Sequence, residues 1–148
     1  MTTKKPFSHQ EFKSIYSKVP RLTVEVIIKT NEGIILTLRQ LKSWKGLWHI
    51  PGGTVYYKET LEETVQRVAQ EELGVKVNIE KLLGYIHYPS EGKARGFGWT
   101  VGIAFLCTIK SGVLRGSKQG EQIGIFKKIP PNTIKEAKEF LQKNIEVW

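Results

Sequence analysis

Aspartate is absent from this 148-residue chain, and all 14 of its acidic residues are glutamate. Any site that needs carboxylates must therefore be built from Glu. Cysteine occurs once, at Cys107, which excludes an internal disulfide and suits a reducing cytoplasm. That thiol falls in an expected strand and reads as a small buried hydrophobe rather than a nucleophile. Long apolar runs are also missing. The longest, Val101 to Ile109, falls far short of the ~18 residues that span a bilayer, so no membrane span is expected. The opening Met-Thr-Thr-Lys-Lys is not followed by an apolar stretch, and no signal peptide is expected.

What is present fits one globular domain over residues 1–148. Hydrophobic residues make up 40% and charged residues 25%, enough to build a core and too apolar for wholesale disorder. Lys and Arg number 23, for a net charge of +9, which attracts nucleotides, phosphates, nucleic acid or an acidic surface without choosing among them. The C-terminal lysines 127, 128, 135, 138 and 143 read as a solvated helix face or as an RNA-binding one.

Three helices are expected from capping boxes, in which a hydroxyl and a Glu three residues on satisfy each other's backbone N–H groups. Ser8 with Glu11 opens a short helix carrying Phe12, Ile15 and Tyr16. Thr60 with Glu63 opens a longer one that Gly74 ends, and Thr133 with Glu136 opens the last, with Ile134, Ala137 and Leu141 facing inward. Between them, Leu22–Lys29 alternates with Val24, Val26 and Ile28 on one side and Thr23, Glu25 and Ile27 on the other. Further strands are expected at 33–39, 75–88, 98–109 and 122–129, most of them able to pair antiparallel. The class is α+β, a sheet with helices packed on it. Residues 89–97 read as a solvated hairpin end, or as a loop that clamps a phosphate through Lys93 and Arg95.

The chemistry concentrates between Gly52 and Val75. A Gly-Gly turn follows Ile50-Pro51, and five Glu fall within the next helix and its approach, at 59, 62, 63, 71 and 72. At 100° per residue, Leu61, Val65, Val68, Ala69 and Leu73 form an apolar stripe that includes Glu72, with Glu71 at its edge. A carboxylate in such a stripe must be paired or bound to a cation. Either Arg67 or a lysine neutralises Glu71 and Glu72, or the two hold Mg²⁺, which takes oxygen ligands from one or two carboxylates and substrate phosphates. Glu62 and Glu63 point away from the stripe. The glycines let backbone approach a ligand closely.

At these residues the chain resembles the Nudix hydrolase superfamily, whose signature is G-x₅-E-x₇-R-E-U-x-E-E-x-G-U. Gly53, Glu59, Arg67, Ala69, Glu71, Glu72, Gly74 and Val75 match it, while Val68 stands where the family has its first Glu. The likeness to the GDP-mannose mannosyl hydrolase branch extends through Val19-Pro20, Ile35-Leu36, Arg39 and Gly46–Gly53. The resemblance implies a Nudix fold, a mixed β-sheet layered between α-helices. It implies Mg²⁺, or Mn²⁺, held by the Gly52 carbonyl and Glu72 with Glu71 close by and Gln122 completing the set. Arg39 would bind the diphosphate and steady its departure, and Glu25 would stand near the reacting sugar. The branch's His is replaced by Ile123, leaving His49 and His87 as alternatives; with Val68 in place of Glu, a base would come from Glu25, Glu91 or Glu121. Trp44 and Trp48 cover a sheet edge or stack on a base.

The expected function is Mg²⁺-dependent hydrolysis of a nucleoside diphosphate linked to another group, such as the nucleotide sugar GDP-mannose. A triphosphate pyrophosphohydrolase with a relocated Glu base and a catalytically weak module binding nucleotide or RNA are the alternatives. A cytoplasmic location and a homodimer joined through its N-terminal segment complete the expectation.

Overall fold

The computed structural model describes residues 5–40, 43–117 and 121–145. In chain order its elements are α1 (His9–Tyr16), β1 (Arg21–Thr30), β2 (Gly33–Leu38), β3 (Trp48–His49), β4 (Gly52–Thr54), α2 (Leu61–Leu73), β5 (Val75–His87), α3 (Glu91–Arg95), β6 (Thr100–Gly112), β7 (Ile123–Phe126) and α4 (Lys135–Asn144). The sheet runs β3-β2-β1-β6-β5, with β4 paired to β1 and β7 to β2. Strands β1 and β6 are parallel and in register from Arg21↔Thr100 to Ile28↔Cys107; the other strand pairings are antiparallel.

Alternation along β1 sorts the core into two layers, because successive side chains leave a strand on opposite faces. Val24, Val26 and Ile28 pack with Val65, Val68, Ala69 and Leu73 of α2. Ile27 packs on the other face with Ile134, Ala137 and Leu141 at and along α4. The mixed sheet is thus layered between helices, as the resemblance implies. Cys107 is buried in the first layer, where burial pushes its thiol up to about 12. Among the described residues, no helix is long and apolar enough to cross a membrane.

Two of the three capping boxes form. Ser8 Oγ accepts from the Glu11 N–H and Thr60 Oγ1 from the Glu63 N–H, and in each case the Glu carboxylate accepts from the cap residue's N–H. Gly74 ends α2 in the left-handed region at φ 71°, where its lack of a side chain removes the steric cost. The third box does not form. Thr133 Oγ1 donates to the Pro130 carbonyl at 2.7 Å, while Glu136 reaches across to the N–H and hydroxyl of Ser90, both at 2.8 Å. Ile134 occupies the cap without a side-chain bond. A tertiary partner outcompetes the local one.

Two further expectations change. Gly52 and Gly53 form an extended strand on β1 rather than a turn, with Gly52 opposite Glu25. Residues 91–95 form a short helix whose first residue, Glu91, is buried, so this segment is no solvated hairpin end.

Candidate active site

A cleft of about 1060 Å³ opens between the carboxyl-terminal half of α2, the start of β1 and the segments around Arg39 and α3. Its lining includes Glu25, Arg39, Gly52, Glu71 and Glu72, so five of the six residues singled out for the site share one cavity. Gln122 does not line it. In extended backbone adjacent side chains diverge, and here Gln122 is exposed while Glu121 turns inward to lie 3.6 Å from His49 Nε2.

The α2 carboxylates divide by role. Arg67 is committed to Glu59, donating from Nε at 2.7 Å and from Nη2 at 3.0 Å, and also to the Thr54 carbonyl at 2.7 Å. The same guanidinium lies 3.7 Å from the Tyr56 ring centroid, and Glu71 is a longer 3.6 Å contact. Arg67 and Glu59 therefore lock the approach to α2 onto the helix, and Arg67 pulls the Glu59 carboxyl below its usual range. Glu72 has no hydrogen bond or ion pair among the described residues. Burial, with repulsion from Glu121, pushes it up to about 7 against the pull of Arg39. Ion pairing by Arg67 thus serves Glu71 in part and Glu72 not at all.

Val68 is buried beneath the Gly-rich strand. A Cβ on Gly53 would approach Val68 Cγ2 to 2.9 Å, so valine fills the space below the backbone that faces the cleft. It supplies neither ligand nor base.

Glu25 lines the cleft as a buried residue, in a slot that glycines make. A Cβ on Gly52 of β4 would strike its carboxylate, and one on Gly102 of β6 would come within 2.7 Å of its side chain. Burial pushes Glu25 up to about 7, with the Tyr88 hydroxyl and then Arg21 pulling it down. Arg39 is held by Ser43, donating from Nη2 to the hydroxyl at 3.0 Å, and burial draws it below its ordinary value.

Neither histidine alternative stands free in the cleft. His49 lines it, but Nε2 is 2.7 Å from Thr37 Oγ1 and Nδ1 is 2.9 Å from the Ile50 carbonyl, and burial lowers its pKa. His87 lies away from the cleft, against Tyr85 and Trp99. Of the candidate bases, Glu91 is occupied by Arg21, Arg95 and Thr100. Glu121 faces opposing influences: burial raises it, while His49 and Arg39 lower it to a net value below its usual range. Of these three candidate bases, Glu25 is the one poised near neutrality. Trp48 packs edge-on against Phe126 at 4.8 Å, covering the sheet, whereas Trp44 lines the cleft near Arg39.

Arg95 turns inward to Glu91 at 2.9 Å rather than forming a loop clamp with Lys93, which is exposed. Sequence reading also passed over Arg21 and Thr23, which share the cleft-lining face of β1 with Glu25; spacing by two residues was the available signal. Arg115 was missed as well. Its Nη2 donates to the Gln70 carbonyl at 3.1 Å and steadies the end of α2, whose last turn has no basic residue of its own.

The comparisons with known proteins agree with this geometry. The NUDIX domain family model matches residues 19–143. The low-salt glycan biosynthesis protein Agl8 of Haloferax volcanii is 35% identical over 124 residues, covering 82% of this chain and 78% of that protein. An ADP-ribose pyrophosphatase of Methanocaldococcus jannaschii is 30% identical over 107 residues, 72% of this chain and 62% of that one. The crystal structure of a MutT NUDIX hydrolase from Burkholderia pseudomallei superposes with a TM-score of 0.73 at 25% identity, over 86% of this chain and 99% of that one. A cleft built by the signature helix, with the family model spanning most of the sequence, places the chain in the Nudix family as a hydrolase.

Proposed function

We propose that the chain is a Mg²⁺-dependent hydrolase of nucleotide sugars of the GDP-mannose kind, and that water attacks the sugar carbon to release the nucleoside diphosphate. The observation that carries this is the meeting of Glu72 and Arg39 in one cleft while Val68 occupies the usual position of the family's first Glu. The names of two relatives support the substrate class alone, one through glycan biosynthesis and one through ADP-ribose, a nucleoside diphosphate on a sugar; the second, a pyrophosphatase, is named for cleavage at the pyrophosphate.

The donor set fits a hard divalent cation. Glu72 is half-buried without a partner among the described residues, Glu121 and Glu71 add to its negative surroundings, and a backbone carbonyl lies at Gly52. No three His, Cys, Asp or Glu side chains among the described residues form a ready-made cluster, so a Mg²⁺ here would complete its shell with waters and substrate oxygens. Glu72, Glu71 and the Gly52 carbonyl would hold Mg²⁺, or Mn²⁺ through the same oxygens. The cation supplies Lewis-acid neutralisation of the diphosphate.

The protein's own groups do the rest. Arg39, oriented by Ser43, binds the diphosphate and stabilises the charge that grows on it as it leaves. Glu25 accepts the proton of the attacking water, a task suited to a carboxyl near neutrality. The bond from sugar carbon to phosphate oxygen breaks with both electrons on the leaving oxygen, and water's oxygen bonds to the carbon. We place the reaction in a reducing cytoplasm, and assign a homodimer through the N-terminal segment because α1 buries none of its residues within the chain.

The test is a product assay on GDP-mannose, UDP-glucose, ADP-ribose and nucleoside triphosphates, with Mg²⁺ and with a chelator. Nucleotide sugars should be consumed faster than triphosphates, and only with metal. Preferential loss of triphosphates would replace this reading with the pyrophosphohydrolase one.

A further inference from the structure

On β1, Arg21, Thr23 and Glu25 all line the cleft, two residues apart. Successive members of such a row are about 6.6 Å apart, so Arg21 starts roughly 13 Å along the strand from Glu25. Three groups at the far end carry more positive charge than their neighbours cancel. The fully buried Glu91 carboxylate accepts from Thr100 Oγ1 at 2.6 Å, Arg95 Nη1 at 2.9 Å and Arg21 Nη2 at 3.3 Å. One carboxylate thus serves two guanidiniums, leaving a formal charge of +1. Arg21 also donates from Nη1 to Thr54 Oγ1 and from Nε to Thr100 Oγ1, so three of its five N–H groups are used within the chain. Arg95 spends a single N–H on Glu91, and a guanidinium has five to offer. Phe12 lies 5.4 Å from both guanidinium carbons and holds the pair in place from the α1 side.

The second observation is independent of charge. Thr23 is 4% exposed, and its Oγ1 is buried without a hydrogen-bond partner among the described residues. A buried orphan hydroxyl is costly. It stands midway between Glu25, where we place the reacting carbon, and the arginine pair.

We infer that Arg21, Thr23 and Arg95 form a subsite for a hexuronate, so that the sugar on the nucleoside diphosphate carries a carboxylate. The inference rests on the nucleotide-sugar reading above and deepens it. A hexose with its anomeric carbon at Glu25 reaches Thr23 with a ring hydroxyl and the arginine end with its exocyclic group. The residual charge of +1 matches one carboxylate, whereas a phosphate monoester brings about −1.5 to −2. The free edge of Arg95 suits the planar carboxylate. Burial, joined by repulsion from Arg21 and Arg39 and opposed by Glu91, holds Arg95 below its ordinary pKa.

Calorimetric titration with Ca²⁺ in place of Mg²⁺ tests this, using UDP-glucuronate against UDP-glucose and GDP-mannuronate against GDP-mannose, with UDP and GDP as references. At least one uronate should bind tenfold or more tightly than its neutral partner. Thr23→Val, which replaces a hydroxyl without a partner among the described residues by a methyl group, and Arg95→Gln should each bring that ratio toward one, with circular dichroism confirming the fold. Equal affinities, or a preference that survives both variants, would overturn the subsite. If UDP or GDP binds without any uronate preference, only this inference fails. If no nucleotide binds at all, the nucleotide-sugar reading fails and takes the subsite with it.

Discussion

Glu72→Gln should lower kcat on nucleotide sugars by on the order of a thousandfold, the scale of removing a preorganised electrostatic partner of the reacting charge. The same change should leave the metal-free protein at least as stable as the wild type. Glu72 has no partner among the described residues, and its carboxyl is pushed up to about 7 by burial and by Glu121. Neutralising it removes a half-buried charge without breaking a bond among the described residues. A residue kept for packing would show the opposite pattern, since loss of function would then follow loss of fold. Mn²⁺ titration followed by water-proton relaxation, beside thermal melts without metal, separates the two. Unchanged Mn²⁺ affinity in the variant would remove Glu72 from the metal site.

Glu25→Gln should alter how stability depends on pH. The residue is buried, and the carboxyl's folded-state value of about 7 lies above the ordinary 4.5. An acid with a raised value favours the folded state through its protonated form. That contribution is complete below about pH 4.5 and is lost as pH rises through 7. The shift corresponds to about 3 kcal/mol as an order of magnitude. In urea titrations of metal-free protein, the variant should therefore gain on the wild type by about that amount between pH 4.5 and 8. Its turnover should fall with the loss of the proton acceptor. A stability difference that stays constant across this range would mean that Glu25 ionises as an ordinary surface carboxylate.

The sequence exposed the signature helix because the information there is local. Thr60, Glu63 and Gly74 fix both ends of α2 by bonds within a few residues, and the apolar stripe from Leu61 to Leu73 orients it. The convergence of Arg39, Glu25 and Glu72 was legible only through the family resemblance, since these groups come from separate elements. Where partners are distant, local signals misled. Glu136 forsakes Thr133 for Ser90, 46 residues away. Glu91 looked like part of a solvated loop, yet its carboxylate is met by Arg21, 70 residues earlier, and by Thr100. Gly52 and Gly102 read as turn and strand residues, and their role in opening a slot for Glu25 appears only when β1 lies between β4 and β6. Gln122 and Glu121 differ by one position, and a one-residue difference in extended chain decides which of them faces inward.

Phosphorus NMR in ¹⁸O-labelled water reads directly which bond of the substrate breaks. With Mg²⁺ and GDP-mannose, or the nucleotide sugar consumed fastest, the product should be an unlabelled nucleoside diphosphate and the label should reside in the sugar. A nucleoside monophosphate with sugar phosphate, one of them carrying ¹⁸O on phosphorus, would contradict attack at carbon.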